Sequence, residues 1–327
     1  MIIIDSPSHN AYFNIASEEY LLKRFPEEDI LLFYINAPSI IIGKFQNTLA
    51  EINLDYVKDH NIKVVRRLSG GGAVYHDLGN LNFSFHTKAG DKDFSDFETF
   101  TKPVVQLLNK LDVPAKLEGR NDLLVDGKKF SGNAKTIKSK KMIQHGTILI
   151  NSEMSVLADA LKVNPLKFVD KAVKSNRARV TNLIDYLPYG TTTESFKQLF
   201  IEEIKSANED IQLYSLDAVD IAVIEKLAEE QYSTWEWNFG FSPDYNFKKA
   251  HKVPAGFIEV HLDVHKGHIT EAKIFGDFFA SNPIEELESK LVGVKHEKEE
   301  LQTLFNSIDI KSYFGNVTVE DILDIFN

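Results

Sequence analysis

Two glycine-punctuated stretches carry the residues best suited to chemistry. In Arg66-Arg67-Leu68-Ser69-Gly70-Gly71-Gly72-Ala73-Val74-Tyr75-His76-Asp77, a basic pair precedes three consecutive glycines. With no side chains there, backbone N–H groups can approach an anion or a flat ligand closely, and the arginines add charge-assisted donors. That is an anion-cradle composition, although no Gly-Lys-Ser/Thr follows as in a Walker A loop and the spacing of a dinucleotide fingerprint is missing. A structural turn with surface arginines would use the same letters. The second stretch, Gly119-Arg120-Asn121-Asp122-Leu123-Leu124-Val125-Asp126-Gly127-Lys128-Lys129-Phe130-Ser131-Gly132-Asn133-Ala134, offers amides and carboxylates for a ribose or adenine edge. It then places a lysine beside a Ser-Gly turn, where an anionic intermediate could sit. Asp126-Gly127 also reads as a plain hairpin turn. His76 and His145 stand alone, and lone histidines are more often hydrogen-bonded structural groups than ligands.

Composition narrows the chemistry. The 327 residues include no cysteine, which excludes disulfides, thiolate metal sites and a cysteine nucleophile. A formal charge of −11 argues against generic binding to nucleic-acid backbones. No apolar run approaches the ~18 residues of a membrane span, so the expectation is a soluble, cytoplasmic chain with neither nucleic acid nor membrane as partner. One segment breaks the acidic average: Lys128, Lys129, Lys135, Lys138, Lys140 and Lys141 face Asp126 alone, which by itself reads as a solvated basic loop or strand edge.

These residues need elements to hold them. Apolar spacing through Phe13, Ala16, Tyr20 and Leu21 predicts a helix over 10–25, stopped by Pro26. Strands are expected at 30–35, 39–42, 63–66, 73–75, 81–85, 122–125 and 146–150. In the 81–85 run, Leu81, Phe83 and Phe85 alternate with Asn82 and Ser84, as in a strand with one buried face. A helix is expected over 100–111. Past Asn151 helices predominate, with Thr193 and Asp217 as caps. The mixture of Gly, Pro, Asp and Asn at 240–256 reads as a linker. A hairpin turning at Lys266-Gly267 follows, then helices starting near Pro283, Lys298 and Val319, the first capped by Asn282. The fold class is α/β (α+β): a main domain of mixed sheets and helices over 1–245, then linker and small α+β accessory domain over 246–327.

With these motifs in order, the chain resembles the lipoate–protein ligase A family, within the fold shared by biotin ligases and lipoyl or octanoyl transferases. The resemblance rests on Asn14-Ile15-Ala16-Ser17-Glu18-Glu19-Tyr20-Leu21, the loop from Arg67 to Asn80, Gly119-Arg120-Asn121-Asp122, Lys129 through Gly132, His145-Gly146-Thr147 and Arg179-Val180-Thr181-Asn182-Leu183, and it extends through the C-terminal unit. It implies ATP-dependent activation of lipoate to lipoyl-AMP, then transfer to a lysine of an acceptor such as the glycine-cleavage H protein or an E2 lipoyl domain. It makes Lys129 the cation that stabilises charge at the activated carboxyl and phosphate, with Lys128 on the opposite side of a strand. It places Gly70, Gly71, Gly72 and Val74 around the adenylate, Arg67, Ser69 and His76 around the acyl group, and Asn80, Asn121 and Asp122 on the nucleotide side. Ser131, Gly132, Ala134, His145 and Gly146 complete the binding set. Magnesium would arrive with ATP, held mainly by its phosphates and not by a metal site of the protein. Related transferases that pass the acyl group through a cysteine are disfavoured, and a biotin ligase would show a Gly-Arg-Gly-Arg loop. One departure is Lys135-Thr136, where some relatives place an arginine against the adenylate; a nearby lysine could substitute as a point charge.

Overall fold

The computed structural model describes residues 1–88, 96–118, 121–138, 140–161, 168–170, 180–207, 210–242, 244–276 and 282–327. Gly119, Arg120 and Arg179, named above, and Pro243 within the expected linker lie outside these. The chain forms two compact units, one of Met1–Lys44, Asn53–Lys162 and Lys174–Thr234, the other of Phe45–Ile52, Val163–Val173 and Trp235–Asn327.

The first unit is built on an eight-stranded sheet in the order Gln212–Tyr214, Ile2–Asp5, Ile30–Ile35, Asn80–Lys88, Lys141–Leu149, Lys128–Lys138, Asp122–Val125, Lys116–Glu118. The first three strands are parallel and the rest pair antiparallel. Opposed residues of antiparallel strands share a face, so the register Phe33↔Phe83 and Leu31↔Phe85 gathers large apolar side chains on one side. There Phe33, Phe83, Leu123, Phe130, Ile148, Phe196 and Phe200 form the core; each such buried phenyl contributes about 2–3 kcal/mol. Tyr34↔Asn82, His145↔Ser84 and Thr147↔Asn82 lie on the other side. Asn82, Ser84 and His86 are nevertheless fully buried, so the strand has two buried faces, one apolar and one polar, where the alternation suggested one. The helix Ala11–Arg24, capped by Asn10, is almost wholly buried and brings Glu18 and Glu19 inside. A three-stranded sheet, Lys63–Arg66, Ser39–Ile42 and Val74–His76, carries the glycine loop between its first and last strands.

The basic segment is neither loop nor edge. Asp126 and Gly127 have positive φ (49° and 72°), as a two-residue hairpin turn requires, and the strand Lys128–Lys138 that follows is interior to the sheet. Its lysines are mostly committed. Lys138 is 2.7 Å from Glu19, Lys141 donates to Phe25 O at 2.5 Å, and Lys135 is buried against Asp96 O and the Phe97 ring. Lys135 is therefore engaged by the fold.

In the second unit the strands Phe168–Asp170, Tyr245–Val253, Gly256–His265 and His268–Gly276 form a sheet, with a helix-rich C-terminal stretch whose Leu287, Leu301, Phe305, Phe314 and Phe326 fill one core with the sheet. Residues 245–253 are thus a strand and not a linker, because the register through Val253↔Gly256 pairs them along the whole length of their neighbour. Two caps also shift: Thr192, in a reciprocal capping box with Ser195, caps Thr193–Ser206, and Pro283 takes the N-cap position while Asn282 bonds Ser312. No helix among the described residues is long and apolar enough to cross a membrane.

Candidate active site

Lys129 owes its direction to a bulge. Leu123 pairs with Ser131 but Leu124 pairs with Lys129, leaving Phe130 as an extra residue. Phe130 and Ser131 are both buried, Phe130 in the apolar core. Lys129 consequently emerges on the same face as Gly132, where strict alternation would send it into the core with Ser131. Its ammonium lies 2.8 Å from Asp122 Oδ1, and the Lys129 side chain is about a quarter exposed (26%). A Cβ on Gly132 would sit 2.9 Å from Lys129 Nζ, so the missing side chain makes room for the cation. Thr147, opposite, accepts from Gly132 N at 3.2 Å.

Along that face lies a buried polar network. His145 Nδ1 is 2.9–3.0 Å from both oxygens of Glu18, and its Nε2 is 2.5 Å from Ser69 Oγ. Glu18 also accepts from Tyr34 Oη at 3.1 Å. Burial alone would raise the Glu18 carboxyl, but His145, with support from His86 and Ser84, brings it below its ordinary value, so it is ionised. Arg67 spans the glycine loop: Nε donates to Ser69 Oγ (3.0 Å), Nη2 to Gly70 O (2.7 Å) and Gly72 O (2.8 Å), and Nη1 to Ile41 O (3.0 Å). Burial brings Arg67 down to about 10, which still leaves it charged at neutral pH. Gly71 adopts φ +91°, which glycine accepts freely. Gly70, Gly72 and Val74 are part-exposed around this turn.

His76 completes the same neighbourhood. Asn36 Nδ2 donates to its Nδ1 at 3.0 Å, so the proton sits on Nε2, a buried atom with no partner among the described residues. Burial, with Arg67 adding repulsion, pushes its imidazole down to about 3, so it is a neutral donor. Burial likewise pushes His86 to about 4.

The structure thus joins Arg67, Ser69 and His145 directly, keeps His76 beside them, and sets Lys129, Asp122, Gly132 and Ala134 on the adjoining strands. Asn80 is buried and reaches this face through Asn82, at 2.9 Å. Ser131 and Gly146 turn to the other face. A Cβ on Gly146 would lie 2.3 Å from Asn133 Oδ1 and 2.5 Å from Phe83, so packing accounts for that glycine. Asn121 and Asn133 bond one another's backbone carbonyls (2.5 and 3.1 Å) and staple the hairpin.

Comparison with known proteins places the chain. Residues 10–205 match the lipoyl protein ligase A/B catalytic domain, and residues 242–326 the bacterial lipoate protein ligase C-terminus. The chain belongs to the lipoate–protein ligase family. It is 45% identical over 329 residues to lipoate-protein ligase LplJ of Bacillus subtilis, covering 99% of both chains. Among solved structures it resembles a bipartite lipoate protein ligase of Thermoplasma acidophilum, described with its E2 lipoyl domain (TM-score 0.63, 32% identity, 73% of this chain and 96% of that one). It also resembles a lipoate-protein ligase A bound with ATP (TM-score 0.61, 28% identity, 73% and 98%).

Several residues of this polar face have no role assigned by the sequence motifs. Glu18 lay inside a motif without a role, and Tyr34, Asn36, Asn82, Ser84 and His86 were unassigned. The signal for three of them was present: Asn82, Ser84 and His86 recur at every second position of one strand, a polar stripe opposite an apolar one.

Proposed function

We propose that the chain joins lipoate to a lysine of an acceptor protein in two steps. The lipoate carboxylate attacks the α-phosphate of ATP, pyrophosphate leaves, and the acceptor's amine then displaces AMP from the mixed anhydride to form an amide. The names of its relatives and the ATP held by one of them support this reading. So does the absence of cysteine, since the anhydride needs no enzyme thiol. A domain division consistent with it assigns activation to residues 1–245 and an accessory role to 246–327. An E2 lipoyl domain is the acceptor class best supported, by the archaeal relative, with the glycine-cleavage H protein as the second.

The observation that carries the reading is the Lys129 ammonium, aimed by a bulge, held by Asp122 at 2.8 Å and given space by Gly132. A cation fixed before the reaction stabilises charge that builds on phosphoryl and carboxyl oxygens. The glycine loop, braced by Arg67, offers backbone to the adenylate, and the neutral His76 offers an N–H to an acyl or phosphoryl oxygen. Among the described residues no group of three or more His, Asp or Glu is arranged to hold a metal ion, and Asp122 is already paired with Lys129, so no step is derived through magnesium.

The test is lipoate-dependent exchange of labelled pyrophosphate into ATP by wild type and Lys129→Ala, with folding checked by circular dichroism. Exchange that falls about 10²–10³-fold in a folded mutant is expected. No exchange in wild type would overturn the reading and favour transfer from a preformed donor.

A further inference from the structure

The segment Val180-Thr181-Asn182-Leu183 has no part in the site described so far, yet it lies against the backbone that aims Lys129. The ladder between Lys128–Lys138 and Lys141–Leu149 ends at Asn133↔Gly146. Beyond that point residues 180–184 bond to both strands. Val180 bridges Lys129 in parallel, Thr181 N donates to Lys129 O at 2.8 Å, and Leu183 N and Ile184 N donate to Leu149 O and Ile150 O at 2.8 and 2.9 Å. Asn182 then ties this segment down: its Oδ1 accepts from Ser152 N at 3.0 Å and its Nδ2 donates to Ser152 O at 2.8 Å, so one side-chain amide makes both bonds of a peptide pairing. Ser152 is buried, and an alanine at 182 would take both bonds from its backbone. The same turn is held from its other side by Asp77, whose Oδ2 accepts from Glu153 N at 2.7 Å and whose Oδ1 accepts from Gly79 N at 2.9 Å. A bulge interrupts the ladder that would otherwise define a strand, and a cation placed to stabilise developing charge loses effect when its position is loose.

We propose that Asn182 is a positioning residue for the activation step, a role that rests on the part given to Lys129 in the ligase reading above. Through Ser152 it fixes the segment whose Thr181 N–H holds the Lys129 carbonyl, and so it fixes the main chain from which the ammonium projects. Both polar atoms of its amide are engaged by Ser152, so it acts through Lys129 and not on a reacting group. Asp77 secures the same turn without bonding to residues 180–184, which makes it the natural control.

A double-mutant cycle read by pyrophosphate exchange at saturating ATP and lipoate tests this, with every variant checked by circular dichroism. Asn182→Ala should lower exchange about tenfold while Lys129 is present, and by no more than about twofold once Lys129→Ala has removed the cation. Should the alanine variant fail to fold, Asn182→Asp, which keeps an acceptor for Ser152 N, carries the same cycle. Asp77→Ala loosens the turn away from the Lys129 arm, so whatever loss it causes should be equal in the two backgrounds. Unchanged exchange in Asn182→Ala, an equal loss with and without Lys129, or an Asp77→Ala loss that also vanishes without Lys129 would each overturn the proposal. Absence of exchange in wild type, or full exchange in Lys129→Ala, would instead overturn the reading beneath it.

Discussion

The two units both set helices on a sheet, yet they enclose different chemistry. In the smaller, the interior is Leu287, Leu301, Phe305, Phe314, Phe326 and their neighbours. Its buried His296 is satisfied locally, with Nε2 2.7 Å from Phe326 O. In the larger, one sheet face encloses phenylalanines while the other encloses Glu18, Arg67, His76, His86 and His145. Burying ionisable groups costs free energy unless each is paired. There the pairing is incomplete, with His76 Nε2 and His86 Nδ1 left without partners among the described residues. The smaller interior is arranged for stability, and the larger one spends stability on groups that stay available to a ligand.

The sharpest way to break that contrast is Phe305→Ala. Phe305 is fully buried, 5.1 Å from the Phe326 ring, so its loss should destabilise the smaller unit by about 3–5 kcal/mol. The chain's two tryptophans, Trp235 and Trp237, both belong to that unit, so urea unfolding followed by their fluorescence reads it selectively. An unchanged midpoint would refute the packing.

A paired substitution then divides the larger unit's faces. Gly146→Ala should destabilise by about 1–3 kcal/mol, because its Cβ meets Phe83 and Asn133 within 2.5 Å. Gly132→Ala should leave the melting temperature nearly unchanged and lower pyrophosphate exchange about tenfold or more, since only the mobile end of Lys129 is displaced. Equal effects on stability would erase the distinction between the faces.

Titration tests the same contrast. Unfolded histidines protonate near pH 6.5, whereas burial holds His76 to about 3, His86 to about 4 and His296 to about 4 in the folded chain. Protons therefore favour the unfolded state. Stability present above about pH 6.5 should be lost as pH falls toward 4, by about 1.4 kcal/mol per pH unit for each ring. With two such rings against one, the larger unit should lose stability more steeply, as hydrogen exchange across pH 5–7 would register. Parallel losses in both units would count against the histidine assignment.

The elements that came through most legibly from sequence were those where residue type and burial agree. The runs 30–35, 39–42, 63–66 and 122–125, rich in apolar and β-branched residues, are strands at those bounds. Tyr245–Val253 was hidden because the Gly, Pro, Asp and Asn of 240–256 give that stretch the look of a linker. Asn82, Ser84 and His86 misled for the opposite reason. Polar letters in alternation imply water on that side, and here the other side is Glu18 and Tyr34. Glu18 itself could not be found by amphipathicity, since a helix buried on nearly all sides has no solvent face for an acid to mark. The order of motifs pointed to Lys129; the way it is aimed required the pairing register.

That register has a consequence for transplanting the site into another scaffold. The lysine and its companion glycine stand three positions apart, an odd offset, and share a face only because Phe130 is surplus to the ladder. Grafting both onto a regular strand would put them on opposite sides, with every letter of the motif correct and the charge in the wrong compartment. What must be copied is the irregularity, together with an apolar pocket to receive the phenyl ring that it ejects from the alternation.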